Sequence, residues 1–190
     1  MMNEFLPSSG ESPQRPKMTD VAILRQRARQ HIEEGAVTDG YAADRNAVVE
    51  MLNGALATEL VCVLRYKRHY FMASGIHSEP VAAEFLEHAG QEMDHADRLA
   101  KRIVQLQGEP NFSPEGLAAR SHAEYIAGTT LREMIKEDLI AERIAIESYR
   151  EMIAFLGQDD PTTRRILVDI LAVEEEHADE MAALLDGLKD

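Results

Sequence analysis

The 190-residue chain contains a single cysteine, Cys62, and no tryptophan. One thiol cannot form an internal disulfide, and the lack of a disulfide framework is typical of proteins from reducing compartments. The N-terminal stretch MMNEFLPSSGESPQRPK lacks the apolar segment of a signal peptide, and no apolar run approaches the roughly 20 residues that a membrane span needs. We therefore expect a soluble, cytoplasmic protein without a membrane partner.

Basic residues are also scarce, since 20 Lys and Arg stand against 34 Asp and Glu and give a formal net charge of -14. The acids are spread along the chain rather than gathered in a terminal run. This balance argues against a surface for nucleic acid or anionic lipid and favours metal cations as partners. Hydrophobic residues make up 45% of the chain, which is enough for one substantial core.

The period-two alternation of a half-buried strand is missing, whereas four long segments repeat apolar residues at the helical period. The predicted helices span residues 44–74, 78–107, 122–156 and 161–185. Gly128 either marks the true start of the third helix or bends it. Residues 108–121 contain Gly and Pro, break the helical pattern and are long enough to run along a bundle. These features predict an all-α fold over residues 44–188, an antiparallel four-helix bundle with a long crossover between its second and third helices.

Residues 1–43 are predicted to form an N-terminal extension. Residues 1 to about 17 are rich in Pro, Ser, Gly and charge, and such a segment buries too little apolar surface to offset its ordering entropy. We expect this tail to be disordered. A short helix is predicted from Asp20, a good N-cap, through Ile32, with Gly35 ending it.

Acidic and imidazole side chains occupy helical positions that the pattern otherwise reserves for apolar residues. Six such residues are predicted to point inward: Glu59, Glu92, His95, Glu142, Glu174 and His177. The second and fourth helices each carry them as a Glu-x-x-His motif, and the first and third helices each carry an isolated glutamate. Glu59 and Glu92 are 33 residues apart and Glu142 and Glu174 are 32 apart, so both helical hairpins place their acids at one level.

Burying four bare carboxylates costs several kcal/mol each and adds mutual repulsion, so a cation is expected among them. Lys and Arg are absent from the inward positions. Two divalent ions would balance four carboxylates and use the two imidazoles as further ligands, and this ligand set suits iron or manganese. In a Glu-x-x-His motif the glutamate can bridge two ions while the histidine binds one. The sequence therefore predicts a dinuclear metal site, with the native metal left open.

Four stretches around these residues, TELVCVLRY, QEMDHAD, EDLIAE and ILAVEEEHAD, resemble the ferritin-like superfamily, most closely bacterioferritin and its Dps-like relatives. The resemblance covers residues 45 to about 185. It implies that the six residues are iron ligands and catalytic groups of a ferroxidase, which oxidises Fe(II) with O2 or H2O2 and stores ferric mineral in a shell. It also implies that Tyr66 and Asp138 hold ligands by hydrogen bonds. Met93 stands where bacterioferritin places its axial haem ligand, so haem b is a second candidate cofactor.

The chain also departs from the bacterioferritin pattern. Only 13 residues follow His177, too few for the fifth short helix of bacterioferritins, and the N-terminal extension resembles the Dps-like branch. We therefore expect a homo-oligomer of 12 subunits rather than 24. The basic DNA-binding tail of Dps is missing, so nucleic acid is not an expected partner.

Two other functions stay open at this point. One is a di-iron oxygenase or peroxidase of rubrerythrin-like type, and the other is a DNA-protecting structural protein of Dps-like type. The remaining polar residues are given structural roles. Cys62 is expected in the core, and His69, His77, His88 and His122 are expected to be solvated.

Overall fold

A computed structural model describes residues 17–76 and 78–188. The predicted disordered tail, up to residue 16, and His77 lie outside the described residues. Four long helices form the body of the protein: α2 (Arg45–Met72), α3 (Ser78–Gln105), α5 (Leu131–Leu156) and α6 (Pro161–Gly187). Three short elements accompany them: α1 (Val21–Arg27), a 3-10 turn (Ile32–Glu34) and α4 (Leu117–Arg120). No strand occurs in the described part of the chain, which confirms the all-α prediction.

The long helices pack as two hairpins, α2 with α3 and α5 with α6. The connection from α3 to α5 runs along α2 from one end of the bundle to the other. Its hydrogen bonds to α2 include Asn111 N to Asn53 Oδ1 at 2.8 Å, His122 N to Thr58 Oγ1 at 2.9 Å, and Arg65 Nη1 to Glu124 O at 3.1 Å. The long crossover is therefore present, as in ferritin-like bundles, and it extends further than predicted.

Helix α5 begins at Leu131, later than the predicted start at residue 122. Thr130 caps the helix, because its side chain accepts from the backbone of Glu133 while the Glu133 carboxylate accepts from the Thr130 backbone. Gly128 does not bend the helix but precedes its start by three residues. It turns the chain at φ 59°, and a Cβ there would lie 3.0 Å from the backbone nitrogen of Met134. Glycine is suited to this turn because it has no side chain.

The buried apolar residues form two clusters at different heights of the bundle. One cluster is centred on Leu52, Leu56, Leu99, Ile103 and Leu167. The other contains Cys62, Tyr66, Phe85, Ile135 and Met181. Each long helix contributes to both clusters, and the segment between its two contributions crosses a layer of buried polar side chains.

The N-terminal extension contacts one end of the bundle. Val37 is buried with the first apolar cluster, and the Tyr41 hydroxyl donates to Asp160, the N-cap of α6, at 2.9 Å. Helix α1 has no buried residue, and it ends at Arg27 rather than at the predicted Ile32. The 3-10 turn at Ile32–Glu34 replaces the last part of the predicted helix.

Helix α2 is the one described helix that is long and apolar enough to cross a bilayer, with a mean hydropathy of 1.7 over its most apolar window. The sequence analysis expected no apolar stretch long enough to span a membrane, and α2 departs from that expectation. However, 56% of that window is buried inside the bundle. Because α2 packs on both α3 and α5, its apolar character matches that of a core helix.

Candidate metal centre

The six residues predicted to point inward lie together in the polar layer between the two apolar clusters. Each of them is 2% exposed or less. They are Glu59 of α2, Glu92 and His95 of α3, Glu142 of α5, and Glu174 and His177 of α6. Residues three, four and seven positions away on each helix belong to the apolar clusters, so the register that buries the apolar stripe also directs these side chains inward.

Their ligand atoms form two overlapping groups. The groups are Glu59, Glu92, His95 and Glu174, and Glu92, Glu142, Glu174 and His177. Within each group the candidate ligand atoms lie within 4.8 Å of one another. Glu92 and Glu174 belong to both groups, so these two carboxylates are placed to be shared by two adjacent ions. Each group adds one further glutamate and one histidine.

The two histidines occupy equivalent positions. His95 Nδ1 lies 2.9 Å from a Glu174 oxygen, 3.4 Å from Glu92 and 3.5 Å from Glu59. His177 Nδ1 lies 3.5 Å from a Glu174 oxygen, 3.6 Å from Glu92 and 3.9 Å from Glu142. The nitrogen facing the centre is Nδ1 in both rings. The site is thus built from two half-sites with the same composition.

Buried polar atoms that face this centre make no well-aligned hydrogen bond among the described residues, although some of them lie within ion-pair distance of one another. They are Glu59 Oε2, Glu92 Oε1, His95 Nδ1, Glu142 Oε2, both oxygens of Glu174 and His177 Nδ1. Buried polar atoms are otherwise nearly always paired, because leaving one unpaired costs about 1–3 kcal/mol. A convergent set of unpaired oxygen and nitrogen atoms is what a metal pair would satisfy. The residues present therefore fit two divalent ions with carboxylate and imidazole ligands.

Two tyrosines hold the isolated glutamates from the opposite hairpin. Tyr66 of α2 donates its hydroxyl hydrogen to Glu142, and Tyr149 of α5 donates to Glu59. Tyr66 thus contacts a predicted ligand, and its role in holding that ligand on a metal stays a prediction. Tyr149 is a partner that the sequence analysis did not predict. It could have been found from spacing, since each tyrosine follows the glutamate of its own helix by seven residues.

Gln91 orients one of the imidazoles. Its side-chain oxygen accepts a hydrogen bond from His177 Nε2. With the hydrogen of a neutral ring on Nε2, the lone pair of His177 lies on Nδ1 and faces the centre. An outer partner that fixes the tautomer in this way is typical of metal-binding histidines.

Protons can balance much of the negative charge when no metal is bound. Burial and the nearby Glu92 carboxylate raise the pKa of Glu59 to about 8. Burial disfavours charged imidazoles, but the close carboxylates raise the pKa of both His95 and His177 to about 12. At neutral pH the metal-free site therefore holds protons on these three residues. Protons as well as metal ions can therefore offset the buried negative charge. This corrects the expectation that only a cation could do so.

Asp138 has a different position from the one that the resemblance implied. Its carboxylate accepts from Arg65 Nε at 2.8 Å and contacts His69 Nδ1 at 2.8 Å, and all three side chains are buried. Among the described contacts, Asp138 makes none with a predicted ligand. Its partners tie α2 to α5 and to the crossover, because His69 Nε2 also bonds to the carbonyl of Ala127 at 2.9 Å.

Two histidines that were expected in solvent are buried instead. His69 belongs to the Asp138 cluster, and His88 is 1% exposed. The His88 ring stacks on that of His177, with centroids 3.9 Å apart. The signal was present in the sequence, since His88 precedes Glu92 by four residues and shares its helical face. Met93, the predicted haem ligand, is 39% exposed and lies on a different face of α3 from Glu92.

The fold and this site together define a class of protein: a four-helix bundle with a long crossover, in which each helix brings a carboxylate to a buried site. The ferritin-like domain family matches residues 49–190. The chain therefore belongs to the ferritin-like family.

Relatives within that family include bacterioferritins. One from Brucella melitensis biotype 1 is 33% identical over 144 residues, which are 74% of this chain and 84% of that protein. A nutrient stress-induced DNA-binding protein from a Synechococcus species is 32% identical over 147 residues, 75% of this chain and 84% of that protein. Bacterioferritin relatives at about 30% identity confirm the family resemblance found in the sequence.

Solved structures agree with the fold. A dodecameric thioferritin, described as the bacterioferritin-related protein from Bacteroides fragilis, superimposes with a TM-score of 0.75 at 30% identity, covering 77% of this chain and 89% of that one. Dps from Thermosynechococcus elongatus gives a TM-score of 0.72 at 21% identity, covering 76% of this chain and 96% of that one. The second likeness concerns the fold alone.

Proposed function

We propose that this protein oxidises Fe(II) at the dinuclear centre within one subunit and stores the product as ferric mineral inside a shell of identical chains. The observation that carries the proposal is the set of unpaired, buried oxygen and nitrogen atoms around the shared carboxylates Glu92 and Glu174. The ferritin-like domain and the bacterioferritin relatives support iron storage as the general function. A cytoplasmic location is part of the proposal.

Iron is the substrate in this reaction, with two ions per subunit. Glu59 and His95 would bind one ion, Glu142 and His177 the other, and Glu92 and Glu174 both. Two Fe(II) ions lose two electrons in total and become Fe(III). With H2O2 as oxidant, two electrons and two protons yield two water molecules; with O2 they yield H2O2. The protein contributes a fixed pair of positions, and the redox chemistry is that of iron.

The test is rapid-mixing absorbance of Fe(II) oxidation by the assembled protein. Replacing Glu92 and His95 together by Ala removes one shared carboxylate and one imidazole, so we expect rapid oxidation to be lost while helical circular dichroism is retained. Glu87→Ala is the matched control, because Glu87 is an exposed acid on the same helix. Equal oxidation rates in the double variant and the control would refute the assignment.

A shell of 12 subunits is the proposed assembly. The thioferritin with the same fold is dodecameric, and several large apolar side chains on α2 and α3 are exposed in the single chain. These side chains are Leu64, Phe71, Met72, Leu86 and Met93. With a chain mass of 21.2 kDa, 12 subunits give a particle of about 250 kDa and 24 give about 500 kDa. Light scattering after size exclusion separates these outcomes, and a mass of one or two chains would favour the oxygenase alternative.

Binding of haem and binding of DNA can each be measured directly. Met93 is half-exposed, so it can pack at a subunit interface or bind haem there. A Soret band that is lost in Met93→Leu would establish haem binding. The DNA-protecting alternative is disfavoured by the net charge of -14, and a mobility-shift assay with duplex DNA decides it.

A further inference from the structure

A second group of metal-binding side chains lies beside the dinuclear centre, nearer to solvent. It consists of Glu84 and His88 on α3 and Glu180 on α6. His88 Nε2 lies 2.8 Å from Glu180 Oε2 and 3.7 Å from Glu84 Oε1. The imidazole is buried, whereas the side chains of Glu84 and Glu180 are 33% and 41% exposed. A cation from solvent can therefore reach the two carboxylates without crossing the bundle.

Hydrogen bonds hold the His88 ring with its Nε2 atom toward these carboxylates. The Tyr66 hydroxyl has one hydrogen, which it donates to Glu142. Its oxygen can then only accept from His88 Nδ1, 3.2 Å away. His88 Nε2 is hydrogen-bonded to Glu180 Oε2 at 2.8 Å, so in the metal-free protein a proton on Nε2 lies between the two atoms. A bound cation would replace that proton, and the Nε2 lone pair and the two carboxylates would then be its ligands.

The spacing of the three atoms also suits a metal ion. Ligand nitrogen and oxygen atoms lie about 2.0–2.2 Å from Zn²⁺, so two adjacent ligands around one ion are separated by about 3–3.5 Å. The observed distances of 2.8 and 3.7 Å are close to this range. Glu84 and His88 are four residues apart on one helical face, which fixes two of the three ligands relative to each other.

The solvent-side group is linked to the dinuclear centre by shared ligands. His88 also forms a group with Glu142 and His177, whose ligand atoms lie within 4.8 Å of one another. Glu142 and His177 also have one buried atom each, Oε2 and Nδ1, without a well-aligned hydrogen bond among the described residues. Glu142 and His177 belong in turn to one half of the dinuclear centre. A cation moving inward would therefore find ligands at each step.

The other half of the site has no counterpart to this group. Helices α3 and α6 can be aligned through their Glu-x-x-His motifs. In this alignment the α6 residues at the positions of Glu84 and His88 are Ile166 and Ile170. The position on α3 equivalent to Glu180 is Arg98. Two isoleucines and a positively charged arginine cannot bind a metal ion. Among the described residues, a three-ligand group of this kind therefore stands beside one half of the centre, although acids also line a cavity beside His95.

We propose that Glu84, His88 and Glu180 bind a third divalent cation and that this position delivers Fe(II) to the dinuclear centre. The cation is of the class that accepts mixed imidazole and carboxylate ligands, such as Fe(II), Mn(II), Co(II) or Zn(II). Binding at this position is independent of the proposed oxidation, whereas delivery rests on it. The two parts are therefore tested by separate measurements.

Binding is tested with Co(II) under anaerobic conditions, by calorimetry and visible absorbance on the assembled full-length protein. We expect three ions per chain in the wild type and two in the double variant Glu84→Gln/Glu180→Gln, with affinity at the third position lowered at least about tenfold. Both replaced side chains are partly exposed, so the fold should tolerate the change. Glu176→Gln, an exposed acid one turn before Glu180, is the matched control and should retain three ions. Saturation of the wild type at two ions, or three ions in the double variant, would overturn the third site and leave His88 as a partner in an ion pair only.

Delivery is tested by stopped-flow oxidation at limiting Fe(II). The double variant should oxidise Fe(II) several-fold more slowly than wild type and control, while the amplitude at saturation still corresponds to two ions per chain. Equal rates would overturn the delivery role. If the wild type itself does not oxidise Fe(II), the proposed function fails, and the Co(II) stoichiometry still decides whether the third site exists.

Discussion

Tyr149 donates its hydroxyl hydrogen to Glu59 across the bundle, from α5 to α2. Tyr66 makes the reciprocal contact to Glu142, from α2 to α5. Each of these helices therefore fixes the isolated glutamate of the other, and the two contacts stand at opposite sides of the same centre. The arrangement couples the position of the ligands to the packing of α2 against α5.

Replacing Tyr149 by Phe should weaken metal binding without removing a ligand. The Glu59 carboxylate would lose its donor, and changes in such outer partners typically lower metal affinity about 10–100-fold. In the metal-free protein the same loss should lower the free energy of unfolding by about 1–3 kcal/mol. Co(II) titration and urea unfolding measure the two effects. Tyr125→Phe, at an exposed phenol, is the control; an equal response in both variants would contradict the specific role of Tyr149.

Metal binding should release protons. At pH 7 the imidazoles of His95 and His177, with pKa values of about 12, and the carboxyl of Glu59, with a pKa of about 8, are protonated in the metal-free site. Two entering divalent ions displace them, so about three protons per chain should be released and affinity should fall as pH falls. Calorimetry in two buffers of different ionisation enthalpy measures this number. Binding without proton release would show that the metal-free imidazoles are neutral.

The stability of the metal-free protein should decrease as pH rises above neutrality. The folded pKa values of His95 and His177 lie above the ordinary value of 6.5, and that of Glu59 lies above 4.5. A group with a raised folded pKa contributes stability that is complete below its unfolded pKa and is lost as pH rises through the folded value. The melting temperature at fixed chain concentration should therefore fall from pH 6 to pH 9. Loading with Co(II) should reduce this dependence, because the metal replaces the protons.

Asp160 should be a stability residue that has no effect on metal binding. It caps α6 through Thr163, accepts from Tyr41, and pairs with Arg102 at 3.0 Å in a site where both side chains are buried. Asp160→Asn leaves Arg102 without its counter-charge, so the free energy of unfolding should fall by about 3 kcal/mol. The neighbouring change Asp159→Asn, at an exposed position, should be neutral.

The effect of Asp160→Asn should also depend on pH. Although burial acts in the opposite direction, hydrogen bonds from Thr163, Tyr41 and Arg102 lower the pKa of Asp160. Its stabilising contribution is therefore present above the ordinary value of 3.8 and is lost as pH falls through the folded value. The gap in stability between wild type and variant should be full at pH 7 and should narrow under acid. A constant gap down to strongly acidic pH would show that the carboxylate charge is not responsible.

Alanine substitutions at two glycines should have opposite signs. Gly128 has φ 59° and no space for a side chain beside Met134, so Gly128→Ala should destabilise by about 1–2 kcal/mol and loosen the start of α5. Gly90 lies inside α3, where an added Cβ meets nothing, so Gly90→Ala should stabilise by about 0.5–1 kcal/mol. Thermal unfolding measures both. A neutral Gly128→Ala would mean that the turn before α5 adapts.

The helical pattern predicted the bundle well because each long helix has to bury one continuous apolar stripe. The predicted start of the third long helix at residue 122 was wrong, because residues 122–130 belong to the crossover, whereas the alternative start at Gly128 lay three residues from the observed one. Gly128 and the capping pair Thr130 and Glu133 decide where α5 begins. Such local signals lie inside the sequence, but they compete with the longer periodic pattern that surrounds them.

The inward direction of the six candidate ligands follows from the sequence alone, because a glutamate or histidine three or four residues from buried leucines shares their helical face. Which residues meet across helices depends on how the helices pack. This packing placed Tyr149 against Glu59, turned Asp138 toward Arg65 and His69, and brought Glu180 of α6 to His88 of α3. These contacts depend on the relative height and rotation of packed helices, which periodicity within a single helix does not specify.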